Sequence, residues 1–319
     1  MDLALNFFFA RRSMQKERMK PVLLAVLFIT MSASNLWADE QKITTGSPEV
    51  VRTGFQFLEG PAWDGKGTLY FSDIPPQRIY QLTGKNELSI FRNESGHTNG
   101  LLKWGDYLYA CEMDGQVVRY KLGDAKSREV IAGQYQGKRF NACNDLVVDK
   151  QGGVYFTDPE YGAPMPLPQK VRSVYYAAPN KEVTRIVEEL PNPNGILLSP
   201  DEKTLYVIPS SQSDVMAYNV TAPGKIDKGR VFASLQQREG SKNSGGDGGT
   251  VDADGNIYVT SDLGVQVFSP AGKLIEIISL PEGPANVTFG GPDNNTLYMT
   301  ARTSLYRVAT NRVGHVFGP

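Results

Sequence analysis

The amino-acid sequence predicts an all-β protein: a six-bladed β-propeller with a central metal-binding channel, preceded by a signal peptide. Three observations lead to this prediction. A turn followed by a short strand recurs six times beyond residue 45, no long stretch has a helical period, and the N-terminus passes from basic to apolar residues.

The N-terminal segment has the order of a secretory signal peptide. Lys20 precedes an apolar run from Pro21 to about Ala33, and the small residue Ala38 ends the polar stretch that follows. A membrane anchor is the alternative, but the run is shorter than the roughly 20 residues that span a bilayer. We expect cleavage after Ala38, a periplasmic or secreted protein, and no stable membrane span after cleavage. The predicted domains are residues 1–38, a signal peptide with an upstream extension, and residues 39–319, the propeller.

Net charge and cysteine content limit which partners and which disulfide bonds the protein can have. The formal net charge of -1 argues against nucleic acid as a partner, and we expect a monomer. Export implies an oxidising compartment, yet Cys111 and Cys143 are the only cysteines. They form either one bridge or two small buried apolar side chains, and we favour the second interpretation.

The repeated pattern sets the fold class. A turn rich in Asp and Gly leads each time into a short apolar strand, and the copies begin 39, 46, 51, 52 and 40 residues apart. A small antiparallel sheet of this size cannot bury both faces alone, whereas sheets packed in a ring can. The copies read WDGKGTLYFSD, KWGDYLYACEMDG, DKQGGVYFTDPEYG, SPDEKTLYVIPSS, DADGNIYVTSDLG and GPDNNTLYMTARTS.

Two further strands follow most copies of the pattern. Each copy together with these strands therefore forms a small antiparallel sheet, which is one blade of the propeller. The sixth copy ends before its set is complete, so we expect the strand near EVVRTGFQF to complete that blade and close the ring. A sandwich of many short strands is the alternative, and the regular repeat favours the propeller.

Short polar motifs stand just before each of these strands, where the chain begins the innermost strand of a blade. In a propeller those positions converge on the central channel. The motifs supply Glu59 in LEGPAW, Asn99 in HTNGL, Asn144 and Asp145 in NACNDLVVD, Asn194 in NPNGILLSP, Asp247 in GGDGGTVD and Asn286 in GPANVTFGG.

The donor set predicts a hard cation. Every side chain in it offers oxygen, the ligand that Ca²⁺ prefers, and the chain has only two histidines and no zinc spacing. Taken singly, each Asn or Asp would be read as a turn residue, and Asp252 and Asp254 in DADG are read that way. Polar residues recur at the same position in every blade, and this recurrence favours a metal site. Asp247 is then a ligand that its neighbouring glycines allow to approach the axis.

The sequence resembles the regucalcin, gluconolactonase and diisopropyl fluorophosphatase-like family of six-bladed propellers, over nearly all of residues 55–310. The motifs that carry the resemblance are EGPAWD, LYFSDIPPQRIY, NDLVVDKQGGVYFTDPEYG, PNGILLSPDEKTLYV, GDGGTVDADGNIYVTS and NVTFGGPDNNTLYMTA. The resemblance implies one divalent ion, usually calcium, held by Glu59, Asn144, Asn194 and Asp247. It also implies hydrolysis of a sugar lactone or related ester. The chain departs from the family's pattern at Gly246 and Cys143, where proline often stands, and both positions lie in channel loops.

A metal-assisted lactone hydrolase is therefore the predicted function, with Asp247 as the candidate base for water. His97, Asn99, Arg139 and Asn141 lie in flanking loops and are candidates to bind the substrate, although His97 is equally well read as a surface histidine. Glu112 and Asp158 are read as supporting residues. Two alternatives stay open: an exported calcium-binding propeller without catalysis, and an aryl ester or phosphotriester hydrolase on the same scaffold. No G-x-S-x-G motif or phosphate loop occurs.

Overall fold

The computed structural model describes residues 42–188, 190–241 and 244–319. Over these ranges the chain forms strands and no helix, and so it has no helix long and apolar enough to cross a membrane. The predicted signal peptide and its cleavage after Ala38 lie outside the described residues and stay predictions.

The strands form six antiparallel sheets that follow one another along the chain, which confirms the all-β propeller. The first strand, β1 (Glu49–Thr53), belongs to the last sheet. Blade 1 holds β2 (Leu58–Trp63), β3 (Thr68–Asp73), β4 (Arg78–Thr83) and β5 (Leu88–Asn93). Blade 2 holds β6 (Thr98–Trp104), β7 (Tyr107–Glu112), β8 (Gln116–Lys121) and β9 (Asp124–Ala132). Blade 3 holds β10 (Leu146–Val148), β11 (Val154–Asp158), β12 (Ser173–Ala177) and β13 (Val183–Glu188).

The second half repeats this plan with one addition. Blade 4 holds β14 (Pro193–Leu198), β15 (Thr204–Pro209), β16 (Asp214–Ala222), β17 (Lys225–Ile226) and β18 (Arg230–Ser234), and the two-residue β17 is an extra pairing with β16. Blade 5 holds β19 (Gly249–Val251), β20 (Ile257–Ser261), β21 (Gly264–Phe268) and β22 (Leu274–Ile278). Blade 6 holds β23 (Asn286–Gly290), β24 (Thr296–Ala301), β25 (Ser304–Ala309) and β1.

The ring closes as the sequence predicts. β1 pairs antiparallel with β25, with Glu49 opposite Arg307 and Thr53 opposite Ser304. The first strands of the blades, β2, β6, β10, β14, β19 and β23, contact one another in turn, and β23 contacts β2. Because the polar motifs begin these strands, the ring gathers them at its centre.

Burial follows the position of a strand within its blade. Every residue of β11 and β20, the second strands of blades 3 and 5, is buried, whereas β5, a fourth strand, is mostly exposed. Strands covered on both faces read as continuous apolar runs, and this is why the second strands gave the strongest pattern. Cys111 and Cys143 are free thiols in one buried apolar cluster, where burial raises the pKa of both, so the interpretation without a bridge is confirmed.

Aspartates at the first turn of three blades fix the hairpins. The Oδ1 atoms of Asp64, Asp149 and Asp252 accept hydrogen bonds from backbone N–H groups two to four residues further along. Such side-chain bonds to the following backbone stabilise turns. Asp252 and Asp254 are therefore hairpin residues, as the sequence indicates.

Hydroxyl groups on the second strands of blades 1, 3 and 5 tie each of these blades to the next one. Ser72 donates to the carbonyl oxygen of Asn99 at 2.7 Å, Thr157 to that of Asn194 at 2.7 Å, and Thr260 to that of Ala285 at 2.9 Å. Two of these acceptors belong to residues whose side chains form the candidate site. The bonds therefore fix the backbone that presents those side chains.

Candidate metal and substrate site

A cavity of about 530 Å³ opens between the first strands of the blades. Glu59, Asn99, Asn144, Asn194 and Asp247 line it, one from each of blades 1 to 5. The structure thus brings together all four residues that the family resemblance implies as metal ligands, together with one of the four candidate substrate residues. Asn286, the blade 6 residue of the set, lies in the narrow continuation of the channel beyond this cavity.

The two acids of the set are buried close to each other. Burial, with the negative charges of Asp247 and Asp145, raises the pKa of Glu59 well above its usual value. Burial raises the pKa of Asp247 to about 7, although the positive charge of Arg302 and a hydrogen bond from Asn194 oppose the rise. Without a cation, this part of the protein favours protonated carboxyl groups.

Asp145 adds a third carboxyl group beneath the cavity. It lines a narrow channel together with Asn286. Burial raises the pKa of Asp145 to about 7, and the backbone N–H of Leu146 opposes this by donating to its Oδ1 at 2.9 Å. A third buried carboxyl group with a raised pKa therefore lies close to Glu59 and Asp247.

The amide groups complete a site that suits a hard cation. The Oδ1 atom of Asn144 is buried and accepts no hydrogen bond from any described residue. An unsatisfied buried acceptor costs about 1–3 kcal/mol, which a cation would offset. The Nδ2 of Asn194 donates to Ser210 at 3.0 Å, which leaves its oxygen for another partner. The donor set therefore fits an oxygen-liganded divalent ion.

A divalent ion in this cavity would need amide oxygens among its ligands. Among residues 42–188, 190–241 and 244–319, no three His, Cys, Asp or Glu side chains are grouped so that they alone could hold a metal. Two carboxylates and two amides would leave a bound divalent ion with room for water or substrate.

Two acids at the ends of second strands hold the loops that carry the site. Asp73 accepts hydrogen bonds from the backbone N–H groups of Gln56 and Phe57, which precede Glu59. Asp158 accepts in the same way from Asn141 and Ala142, which precede Asn144. This geometry gives Asp158 the supporting position that the sequence indicates.

The glycines around Asp247 are required because the backbone of this loop runs close to residues of neighbouring blades. A Cβ atom at Gly246 would lie 2.5 Å from Cγ2 of Ile208, and one at Gly248 would lie 2.1 Å from Cγ of Asn286. Neither glycine is among the residues with positive φ, so the turn itself does not demand them. The loop is glycine-rich because its backbone runs against neighbouring blades while it presents the Asp247 carboxylate.

We predict that Gly248→Ala lowers the melting temperature by a few degrees, because the new methyl group would displace Asn286 and overpacking costs about 1–3 kcal/mol. Thermal unfolding followed by circular dichroism would measure this. Gly46→Ala is the matched control, since nothing lies within 4 Å of its Cβ position. Equal melting temperatures for the two variants would contradict the close-approach account.

The other three candidate substrate residues lie outside the lining of the cavity. The Nδ1 of His97 lies 3.0 Å from Oδ1 of Asp114. Arg139 donates to the carbonyl oxygens of Phe140, Met113 and Asn141, while the buried side chain of Asn141 bonds to the backbone of Asp158, Val171 and Gln169. A substrate contact would require these side chains to leave their present partners. Their roles in substrate binding stay predictions.

The cavity also contains residues that the sequence did not single out. Ile74, Met113, Ser210, Asp262 and Arg302 each follow directly after the second strand of a blade, and all five line the cavity. Their common position is the signal that would have found them, because the end of every second strand faces the same mouth. In blade 3 the lining residue is Tyr161, three positions after β11.

The fold and the site define a six-bladed propeller with a central cavity lined by carboxylates and amides. Residues 57–303 match the family described as SMP-30/Gluconolactonase/LRE-like region, and the chain belongs to this family. The resemblance recognised in the sequence is thereby confirmed.

Three relatives show how far the similarity extends. A gluconolactonase from Zymomonas mobilis is 29% identical over 291 residues, which cover 83% of this chain and 82% of that protein. Regucalcin from Xenopus laevis is 28% identical, over 79% of this chain and 85% of that protein. A solved gluconolactonase structure from Xanthomonas campestris has a TM-score of 0.77 at 28% identity, over 86% of this chain and 92% of that one.

Proposed function

We propose that this protein hydrolyses a sugar lactone and holds one divalent cation, calcium, with Glu59, Asn144, Asn194 and Asp247. One observation carries the proposal: two buried carboxyl groups, and an amide oxygen with no partner among the described residues, meet in a cavity large enough for a small substrate. Membership of the family, and relatives named gluconolactonase, support the reaction class. The predicted signal peptide makes the periplasm or the cell exterior the proposed location.

Each residue has a distinct part in the proposed reaction. A divalent cation in this site would supply Lewis-acid polarisation of a carbonyl oxygen. Asp247 accepts a hydrogen bond from the attacking water and takes its proton as the new C–O bond forms. The same proton passes to the ring oxygen when the ring C–O bond breaks, so lactone and water give one hydroxy acid. We assign to Asn99, which lines the cavity, the binding of a substrate hydroxyl group.

The proposal is tested by assaying the purified protein on aldonolactones, with an aryl ester and a phosphotriester in the same panel. We expect gluconolactone hydrolysis above the enzyme-free blank, its loss on chelation, and its return with calcium. Faster turnover of the aryl ester or phosphotriester would replace the proposed substrate class. Stoichiometric calcium without turnover of any ester would make the protein a binding propeller.

A further inference from the structure

Arg302 is a fixed positive charge at the mouth of the cavity. It follows β24, in the two-residue turn before β25. Its backbone carbonyl accepts a hydrogen bond from Leu58 N–H at 2.8 Å, and Thr303 beside it donates to Glu282 from both its backbone N–H and its hydroxyl at 3.0 Å. The turn is thus tied to the start of blade 1 and to the segment that connects blades 5 and 6, so the backbone at Arg302 is held in place.

The guanidinium of Arg302 has no hydrogen-bond or ion-pair partner among the residues that the structure describes. Its guanidinium carbon lies over the ring of Phe57, 5.0 Å from the ring centre. Every other arginine in these ranges donates at least one side-chain hydrogen bond. Arg302, the exception, is also the one arginine among the described residues that lines the cavity.

The electrostatic setting indicates what Arg302 would bind. It is the only cationic side chain among the described residues that line the cavity. Its equivalents after the second strands of blades 1, 2 and 4 are Ile74, Met113 and Ser210, which carry no charge. The equivalent in blade 5 is the acid Asp262, whose carboxylate accepts a hydrogen bond from the hydroxyl of Ser244. A guanidinium presents N–H groups in a planar fork that matches the two oxygens of a carboxylate or phosphate. Neutral sugar hydroxyls do not require such a group.

We propose that Arg302 binds an anionic group of the substrate remote from the reacting carbonyl, so that the preferred substrate is a lactone carrying a free carboxylate or phosphate. This inference rests on the lactone hydrolysis proposed above and specifies its substrate class. Phe57 supports the guanidinium from one face, and a ligand in the cavity completes its hydrogen bonds.

Steady-state kinetics on three lactones test the inference. The substrates are glucono-1,5-lactone, which is neutral, glucaro-1,4-lactone, which carries a carboxylate, and 6-phosphoglucono-1,5-lactone, which carries a phosphate. We expect the wild type to prefer one of the two anionic lactones, and the preferred one identifies the anionic group. In Arg302→Gln, the ratio of kcat/KM for that lactone to kcat/KM for the neutral one should fall roughly 10- to 100-fold, mainly through KM.

Arg307→Gln is the matched control. It removes the same charge from β25, but Arg307 lies outside the cavity lining and pairs with Glu49 on the outer strand. We expect it to leave all three activities unchanged. A preference of the wild type for the neutral lactone, or an equal loss of kcat on all three substrates in Arg302→Gln, would overturn the inference. The second result would mean that Arg302 acts through Asp247.

A binding measurement separates failure of this inference from failure of the proposed function. Calorimetric titration with glucarate, an open-chain dianion, needs no turnover. We expect glucarate to bind the wild type, and its dissociation constant to rise at least roughly tenfold in Arg302→Gln. If no lactone is hydrolysed but this change occurs, only the lactonase proposal fails. Identical glucarate binding by the wild type and Arg302→Gln overturns the role of Arg302 even when lactones are hydrolysed.

Discussion

Replacement of Asp247 by asparagine is expected to abolish lactone hydrolysis while the propeller remains folded. Asparagine keeps the size and one oxygen donor of aspartate, but it cannot accept a proton from water. Loss of one general base costs roughly 10² to 10⁴ in rate. The fold should survive because the backbone N–H and carbonyl of Asp247, which bond to Thr260 and Gly195, are unchanged.

The assay must separate lost chemistry from lost metal. Calcium is supplied in excess, and bound calcium is measured on the same sample, since the substitution also removes a negative charge from the candidate ligand set. Asp254→Asn is the control: it makes the same change at an exposed turn in the same blade, where Asp254 pairs with Arg312 at 3.1 Å. Wild-type turnover by calcium-loaded Asp247→Asn would make Asp247 a ligand or a loop residue only.

The blades are predictable from the sequence because their pattern is local. Each second strand is an apolar run that follows an Asp- or Gly-rich turn, and both features act within about ten residues. Closure by β1 could be predicted because the sixth copy lacks one strand. The pairing of β17 with β16 was not predictable, since a two-residue strand leaves no periodic signal.

The inner ring of polar residues was predictable for a related reason. Glu59, Asn144, Asn194 and Asp247 stand at one phase of the repeat, so the symmetry of a propeller brings them together. Side chains in the longer loops follow no such rule. The direction of Asn141 depends on Gln169 and Val171, which lie 28 and 30 residues further along the chain. Arg302 was overlooked because the position after a second strand holds a different residue type in each blade.

Glu59→Gln is expected to stabilise the metal-free protein and to remove most of its response to calcium. In the wild type, burial and the nearby charges of Asp247 and Asp145 make an ionised Glu59 costly, which raises its pKa. Glutamine fills the same space without charge. It also removes one of the two carboxylates proposed to hold calcium, so we expect affinity to fall about 100-fold or more, which corresponds to about 2.8 kcal/mol. Calcium titrations followed by melting temperature measure both effects, because a ligand of the folded state stabilises it by an amount set by its affinity.

The pH dependence of the stability of the metal-free protein provides an independent test of whether burial and nearby charges make an ionised Glu59 costly. The raised pKa of Glu59 means that the folded state holds this proton more tightly than the unfolded chain, whose pKa is near 4.5. Stability from this group is therefore greatest at low pH and is lost as the pH rises through the folded pKa. Asp145 and Asp247, with pKa values of about 7, act in the same direction.

With chelator present, the wild type should lose more stability between about pH 5 and about pH 7.5 than Glu59→Gln does. Calcium at the higher pH should restore the wild type and not the variant. If chelated wild type and variant show the same pH dependence, and calcium stabilises both equally, then Glu59 is neither a strained buried carboxylate nor a ligand, and the metal must be bound elsewhere.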